Sequence, residues 1–245
     1  MDVPLISELG RANKMFIVKR GGNPRDILKN SAVLSSYIRY VILEKKVSVW
    51  IAQRNGRTKD GSDKTEIALL KMLNLSGEKS VQENVKELNV VPISMSYEYE
   101  TCDAEKAKEL YYSQNCKYEK KPGEDTLSVI KGIKQKKGRI HLAFGKPLSA
   151  ETIDSFSNES NAEFFKDMGQ YLDKEVAANF KLWPNNYIAH DLLEENEMFR
   201  DKYNDQEKAA FLSYQEKSLK CIEGNTNEIN QLFLRLYANP IKNNL

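Results

Sequence analysis

Apolar positions in the first half of the chain alternate between short compact runs and runs at helical spacing. Residues 4–12 read as a short helix, and Met15 to Val18 form an apolar strand that ends in Lys19-Arg20 before Gly21-Gly22 turns the chain. Asn23-Pro24 opens a helix, with asparagine as N-cap, proline at the first helical position and Asp26 in the first turn. Ile27, Ser31, Leu34, Ile38, Val41 and Ile42 share one face of it, which carries the helix to Lys45. Val47 to Ala52 then reads as a second strand. Strand, amphipathic helix, strand predicts a βαβ unit with parallel strands and a right-handed crossover.

Thr65 to Leu75 has a helical pattern with Ile67, Leu70 and Leu73 inward, and Val81 to Leu88 a second, shorter one. Val90 to Ser94 is a third strand whose Pro92 marks an edge, a bulge or a strand end. Helices are predicted over Asp103–Gln114 and Glu124–Lys134, and a fourth strand over Arg139–Phe144. Beyond Ser149 the pattern is helical throughout. Phe164, Met168, Tyr171, Leu172, Val176 and Phe180 make an apolar stripe that stops at Trp183-Pro184, and two more helices follow over 206–221 and 226–237. The expected fold is therefore α/β: a mostly parallel sheet flanked by helices over residues 1–149, with a helical C-terminal extension over 150–245.

Charge changes this picture little. The 245 residues carry a formal net charge of +2, with 29% charged and 40% hydrophobic residues, so nothing draws the whole chain toward nucleic acid. Cys102, Cys116 and Cys221 form no CxxC and have no histidine at ligand spacing, which reads as reduced thiols in a cytoplasmic protein. No apolar run reaches the ~18–20 residues of a membrane span, and Met1 to Gly10 lacks the build of a signal peptide. One local basic run stands out: Lys131, Lys134, Lys136, Lys137 and Arg139. It reads as a solvated turn or as a contact with anionic lipid head groups at the inner membrane face, each cation contributing ~1 kcal/mol. No aromatic residues interleave the lysines, so nucleic acid is not an expected partner. Neither a metal-ligand set nor a Ser/His/Asp arrangement is visible.

Chemistry concentrates in Val47 to Gly61. A predicted strand runs into a loop holding Arg54, Gly56, Arg57, Lys59 and Gly61. Glycines let the backbone approach a ligand, and guanidinium and ammonium groups give charge-assisted hydrogen bonds to a phosphate. Parallel strands would bring Lys19-Arg20 and the Arg54–Lys59 loop to one rim of the sheet, facing a common hollow.

Four segments, FIVKR (Phe16–Arg20), VWIAQRNGRTKDG (Val49–Gly61), VVPISMSYEY (Val90–Tyr99) and IHLAFGKPL (Ile140–Leu148), occur in the order and style of the glycerolipid acyltransferases. The likeness covers Met1 to Ser149, and the tail is similar to an extension of some bacterial members. The resemblance implies acyl transfer from acyl-CoA or acyl carrier protein to a hydroxyl of a glycerophosphate-type acceptor, in phospholipid biosynthesis, with no metal or further cofactor. It implies that Arg20 and Lys19 meet the acceptor phosphate together with Arg54, Asn55, Gly56, Arg57, Thr58 and Lys59, and that Val91-Pro92-Ile93 lines the pocket. Two departures limit it. The family's His-x-x-x-x-Asp block should precede Phe16, where this chain has no histidine, and Asn55 stands where a glutamate is usual. The chain thus resembles a member that begins after its catalytic block, with apolar surface left exposed and self-association expected. His141 lies in a predicted strand, and His190-x-x-x-x-Glu195 is out of family order, so no catalytic residue is assigned. The expectation is an impaired acyltransferase or, alternatively, a non-catalytic phosphate- or lipid-binding module or inactive fragment.

Overall fold

The computed structural model describes residues 4–16, 18–19, 21–54, 56, 58–114, 118 and 123–242. In chain order the elements are α1 (Pro4–Ala12), α2 (Pro24–Leu43), α3 (Ile67–Asn74), α4 (Val81–Leu88), β1 (Ile93–Tyr97), α5 (Asp103–Ser113), α6 (Glu124–Lys134), β2 (Ile140–Phe144), α7 (Ala150–Asp154), α8 (Asn161–Ala178), α9 (Pro184–Leu193), α10 (Asp205–Leu219) and α11 (Thr226–Lys242). Contacts divide the chain into two units. The first holds residues 1–54, 65–90 and 147–169; the second holds 55–64, 91–146 and 170–245.

In the first unit α2 starts as its sequence predicts: the Asn23 side chain accepts from the Asp26 amide at 3.0 Å, and proline follows the cap. Its inward face carries Ser35 and Ile38. The Ser35 hydroxyl donates to the Leu73 carbonyl at 3.1 Å and accepts from the Ser76 amide, fixing α2 to the end of α3. Arg39 reaches α4, pairing with Glu87 at 2.6 Å. Leu70, Val85, Leu88, Ile153, Phe156, Phe164 and Met168 are buried around these contacts.

The second unit is built on α11, which packs along α9 and α5. Ile229, Phe233, Leu236, Tyr237 and Ile241 recur at helical spacing and are buried, so one face of α11 forms the middle of the core. Phe211 of α10 meets the Tyr237 ring edge-on at 5.1 Å. Burying a large apolar side chain contributes roughly 1.5–3 kcal/mol, so this cluster is the main store of stability in the unit. β1 and β2 pair antiparallel, with Ile93 opposite Phe144, Met95 opposite Leu142 and Tyr97 opposite Ile140.

This architecture corrects the expected mostly parallel α/β sheet. Among the described residues 58% are helix and 4% strand, and the sheet has two antiparallel strands. Residues 15–18 and 47–52, predicted as parallel strands, have no ladder partner among the described residues. An extended apolar segment becomes a strand only when a neighbour takes its N–H and C=O groups. Here Met15 and Trp50 are instead 67% and 71% exposed. The rim expected to be shared by residues 19–20 and 54–59 depends on those two strands, and neither is paired among the described residues. Pairing at Val90–Ser94 also shifts onward, to Ile93–Tyr97. The helical pattern after Ser149 matches in the Phe164 stripe and in the two helices expected over 206–221 and 226–237, while α9, which starts at Pro184 where the stripe was expected to stop, is an additional helix.

Candidate functional site

The glycine-bearing loop is the place to begin. Of its predicted ligand residues, Asn55 and Arg57 lie outside the described residues, as does Arg20. Lys19 is exposed and Arg54 half-buried, both in the first unit; Gly56, Thr58 and Lys59 belong to the second.

Within the second unit the loop is tightly organised. The Thr58 hydroxyl lies 3.1 Å from the Ser62 carbonyl oxygen and 3.3 Å from Asp60 Oδ1, and the Ser62 amide donates to that same carboxylate at 3.0 Å. Asp60 thereby occupies a backbone donor that a phosphate would otherwise use. Lys59 is paired with Glu109 of α5 at 2.6 Å. The loop is seated on α11: the Asn239 side-chain amide donates to the Asp60 carbonyl at 2.6 Å, and Gly61 lies against Leu236 and Pro240 with φ +77°. A side chain at Gly61 would run into the Leu236 carbonyl oxygen, so only glycine allows this approach.

Asn239 is the link to a cleft of about 300 Å³ along α11 and the end of α9. Leu193, Glu194, Gln231, Arg235, Asn239 and Lys242 line it. Gln231, Arg235, Asn239 and Lys242 fall at spacings of four, four and three, so one polar stripe of α11 supplies most of the wall. Lys242 approaches Glu194 at 4.0 Å. Two cations, two amides and a carboxylate suit a small ligand that carries both an anionic group and hydroxyls. The sequence reading passed over Arg235, Asn239 and Lys242, although their spacing was visible as a stripe opposite the apolar face of the last helix.

Neither histidine is placed as a base for that cleft. His141 sits on β2 opposite Ser96 and is half-buried. His190 is buried in α9, with its ring edge-on to Phe199 at 4.8 Å and Nδ1 3.4 Å from Asp191 Oδ1. Asp191 is already held by the Tyr203 hydroxyl at 2.9 Å and the Phe199 amide. Burial and that carboxylate push the Tyr203 hydroxyl up to about 12. The residue five along, Glu195, is exposed with φ +50°, so the His190-x-x-x-x-Glu195 spacing is not a dyad.

The tyrosines of the region are structural anchors. Tyr99 is buried against the Tyr214 ring at 4.5 Å, and the Tyr111 and Tyr112 hydroxyls hold the Asn225 amide and the Glu223 carbonyl. Among the described residues no group of three or more His, Cys, Asp or Glu side chains could hold a metal, and no helix is long and apolar enough to cross a membrane. Comparison of the chain with protein-family models, curated proteins and solved structures gave no match.

Proposed function

We propose that this chain serves acyl transfer to a glycerol-phosphate-like hydroxyl, with acyl-CoA or acyl carrier protein as donor, and that its own task is to hold the phosphorylated acceptor. One observation carries this reading: Asn239 joins the cationic loop, through Asp60, to the cleft where Arg235 and Lys242 stand. The cleft cations Arg235 and Lys242 would hold the phosphate, with Arg57 kept from the sequence reading as a further cation, and the acceptor hydroxyls would fall to Asn239, Gln231 and Glu194. A rigid mount of this kind holds a bound hydroxyl in one orientation, the part of catalysis that positioning supplies.

A second reading is favoured by the two histidines. With His190 committed to Asp191 and Phe199, and His141 facing Ser96 across the sheet, no imidazole is free to take the hydroxyl proton. General base catalysis typically contributes ~10²–10⁴-fold, so turnover by this chain would be slow or nil and the molecule would act as a phosphate-binding module.

Calorimetry with sn-glycerol 3-phosphate tests the site. Saturable binding is expected, with no binding of glycerol, and Arg57→Ala or Arg235→Ala should each weaken affinity about tenfold, the worth of one charge-assisted hydrogen bond. Unchanged affinity in both variants would remove the site. A parallel assay of acyl transfer from acyl-CoA or acyl carrier protein to the same acceptor separates the two readings, because only an enzyme turns over.

A further inference from the structure

Two neighbouring elements of the second unit are built inside out. α6 turns Ser128 and Gly132 toward α5, where the Cys102 thiol donates to the Ser128 carbonyl at 3.4 Å and Gly132 faces the same sulfur. Its apolar residues point the other way: Leu127 and Ile133 are 67% and 72% exposed, and Ile130 is exposed between them. The sheet that follows repeats the inversion. Ser94 and Ser96 of β1 are buried, and the Ser96 hydroxyl accepts from the Trp183 indole N–H at 3.2 Å. Met95, Ile140, Leu142 and Phe144 face outward. Each of the two elements thus leaves an apolar face exposed, and such a face calls for a cover.

The charge pattern identifies the cover. α6 opens on Glu124-Asp125, and from Thr126 to Ala150 the chain then has six cations (Lys131, Lys134, Lys136, Lys137, Arg139, Lys146) and no acidic residue. Two of the six meet carboxylates from elsewhere in the unit, Lys131 with Glu105 and Arg139 with Glu98. Lys136 lies over the Tyr99 ring, and the Lys137 ammonium caps the end of α6 on the Ile133 and Gln135 carbonyls. The remaining two, Lys134 and Lys146, are exposed, Lys134 directly after Ile133. A second copy of the chain would set the same cations against one another across a two-fold axis, so this surface repels its own kind. An anionic surface with an apolar interior matches both features.

We propose that the outward faces of α6 and of the β1–β2 sheet dock the protein on anionic phospholipid bilayers, with Leu127, Ile130 and Ile133 entering the acyl boundary and the Lys134 side of the helix meeting the head groups. This lipid-docking face stands on its own observations and does not rest on the acceptor-phosphate reading. The arrangement is that of an interfacial helix: apolar residues along one side, lysines beside them, and too short to span.

Flotation of the 245-residue protein with phosphatidylglycerol-containing vesicles, against vesicles of phosphatidylcholine alone, tests it. The expected result is association with the anionic vesicles only, reversed by raised salt. Replacing Leu127, Ile130 and Ile133 together by Gln should weaken it about tenfold or more, and Leu142→Gln with Phe144→Gln should weaken it in the same direction. The replaced side chains are exposed, and circular dichroism checks that each variant stays folded; the single variant Ile133→Ser serves if the triple one does not. Failure to float with anionic vesicles, or flotation indifferent to these substitutions, overturns the proposal. So does a wild-type dimer in sedimentation that the triple variant dissolves while vesicles are ignored, which would make the same face a contact between copies.

Discussion

Asp103 shows how one side chain ties the second unit together. Its buried carboxylate accepts from the Tyr237 hydroxyl at 2.6 Å, the Tyr214 hydroxyl at 2.8 Å, the Gln135 amide at 2.9 Å and the Ala104 backbone at 2.9 Å. These donors bring α10, α11 and the turn after α6 onto the first residue of α5. Burial opposes them and wins, raising the Asp103 carboxyl above the ordinary value of 3.8. Its own complete burial, and after it the same carboxylate, raise Tyr237 well above a free tyrosine. A carboxyl whose folded pKa exceeds its unfolded value binds its proton more tightly in the native state. Its contribution to stability is thus full below about 3.8 and is lost as pH rises through the raised folded value. Asp103→Asn cannot titrate. Urea denaturation of wild type and variant between pH 7 and pH 4 should show wild type gaining stability relative to the variant as pH falls. Parallel curves would mean that burial does not govern this carboxyl.

At the scale of elements, Gly56 and Gly61 separate two reasons for a glycine. Both have positive φ, +82° and +77°, but a side chain added at Gly56 meets nothing within 4 Å, while at Gly61 it meets the α11 backbone. Gly56→Ala should therefore cost about 1 kcal/mol of unfolding free energy, the conformational term alone. Gly61→Ala should cost upwards of about 2 kcal/mol and detach the loop from α11. Equal effects in thermal or urea unfolding would show that the loop is not seated where Asn239 holds it. Such seating is not legible in sequence, because residue 61 and residue 236 are unrelated by any local period. What could be read was local. The Asn23-Pro24 start of α2, the Val81–Leu88 helix, the Ile140–Phe144 strand and the long stripe after Ser149 all follow from caps and spacing within a few residues. The extended runs at 15–18 and 47–52 have the composition of strands, but pairing is decided by distant chain, and a β pattern cannot name its own neighbour. The candidate site divides the same way. Glycines and cations near residue 57 mark a candidate anion loop in the sequence, whereas Glu109 beside Lys59 and Arg235 beyond Asn239 emerge only once helices are packed.

At the scale of the whole molecule, the two units hold their helices with very different amounts of core. α11 buries eight residues, including Phe233, Tyr237 and Ile241, and α9 buries Ile188 and Ala189 completely. α2 in the first unit is the longest helix described, yet its buried residues are Ser35 and Ile38. Val33, Tyr37 and Tyr40 stand exposed on its other side, so its attachment rests on the Ser35 bonds, the Arg39–Glu87 pair and a single fully buried apolar side chain, with Leu34, Val41 and Ile42 half-buried. Local opening free energy follows the apolar surface that an element loses on leaving its neighbours, so helices of similar length need not open together. Hydrogen exchange followed by mass spectrometry should find the amides of α11 and α9 the slowest in the chain. Those in the body of α2 should exchange sooner by about two orders of magnitude or more, the difference of roughly 3 kcal/mol that two fewer buried aromatic side chains imply. Arg39→Ala should speed α2 further and leave α11 unchanged. If α2 and α11 exchanged at one rate, and Arg39→Ala moved both, the two units would be a single cooperative body and the division of the core between them would carry no energetic meaning.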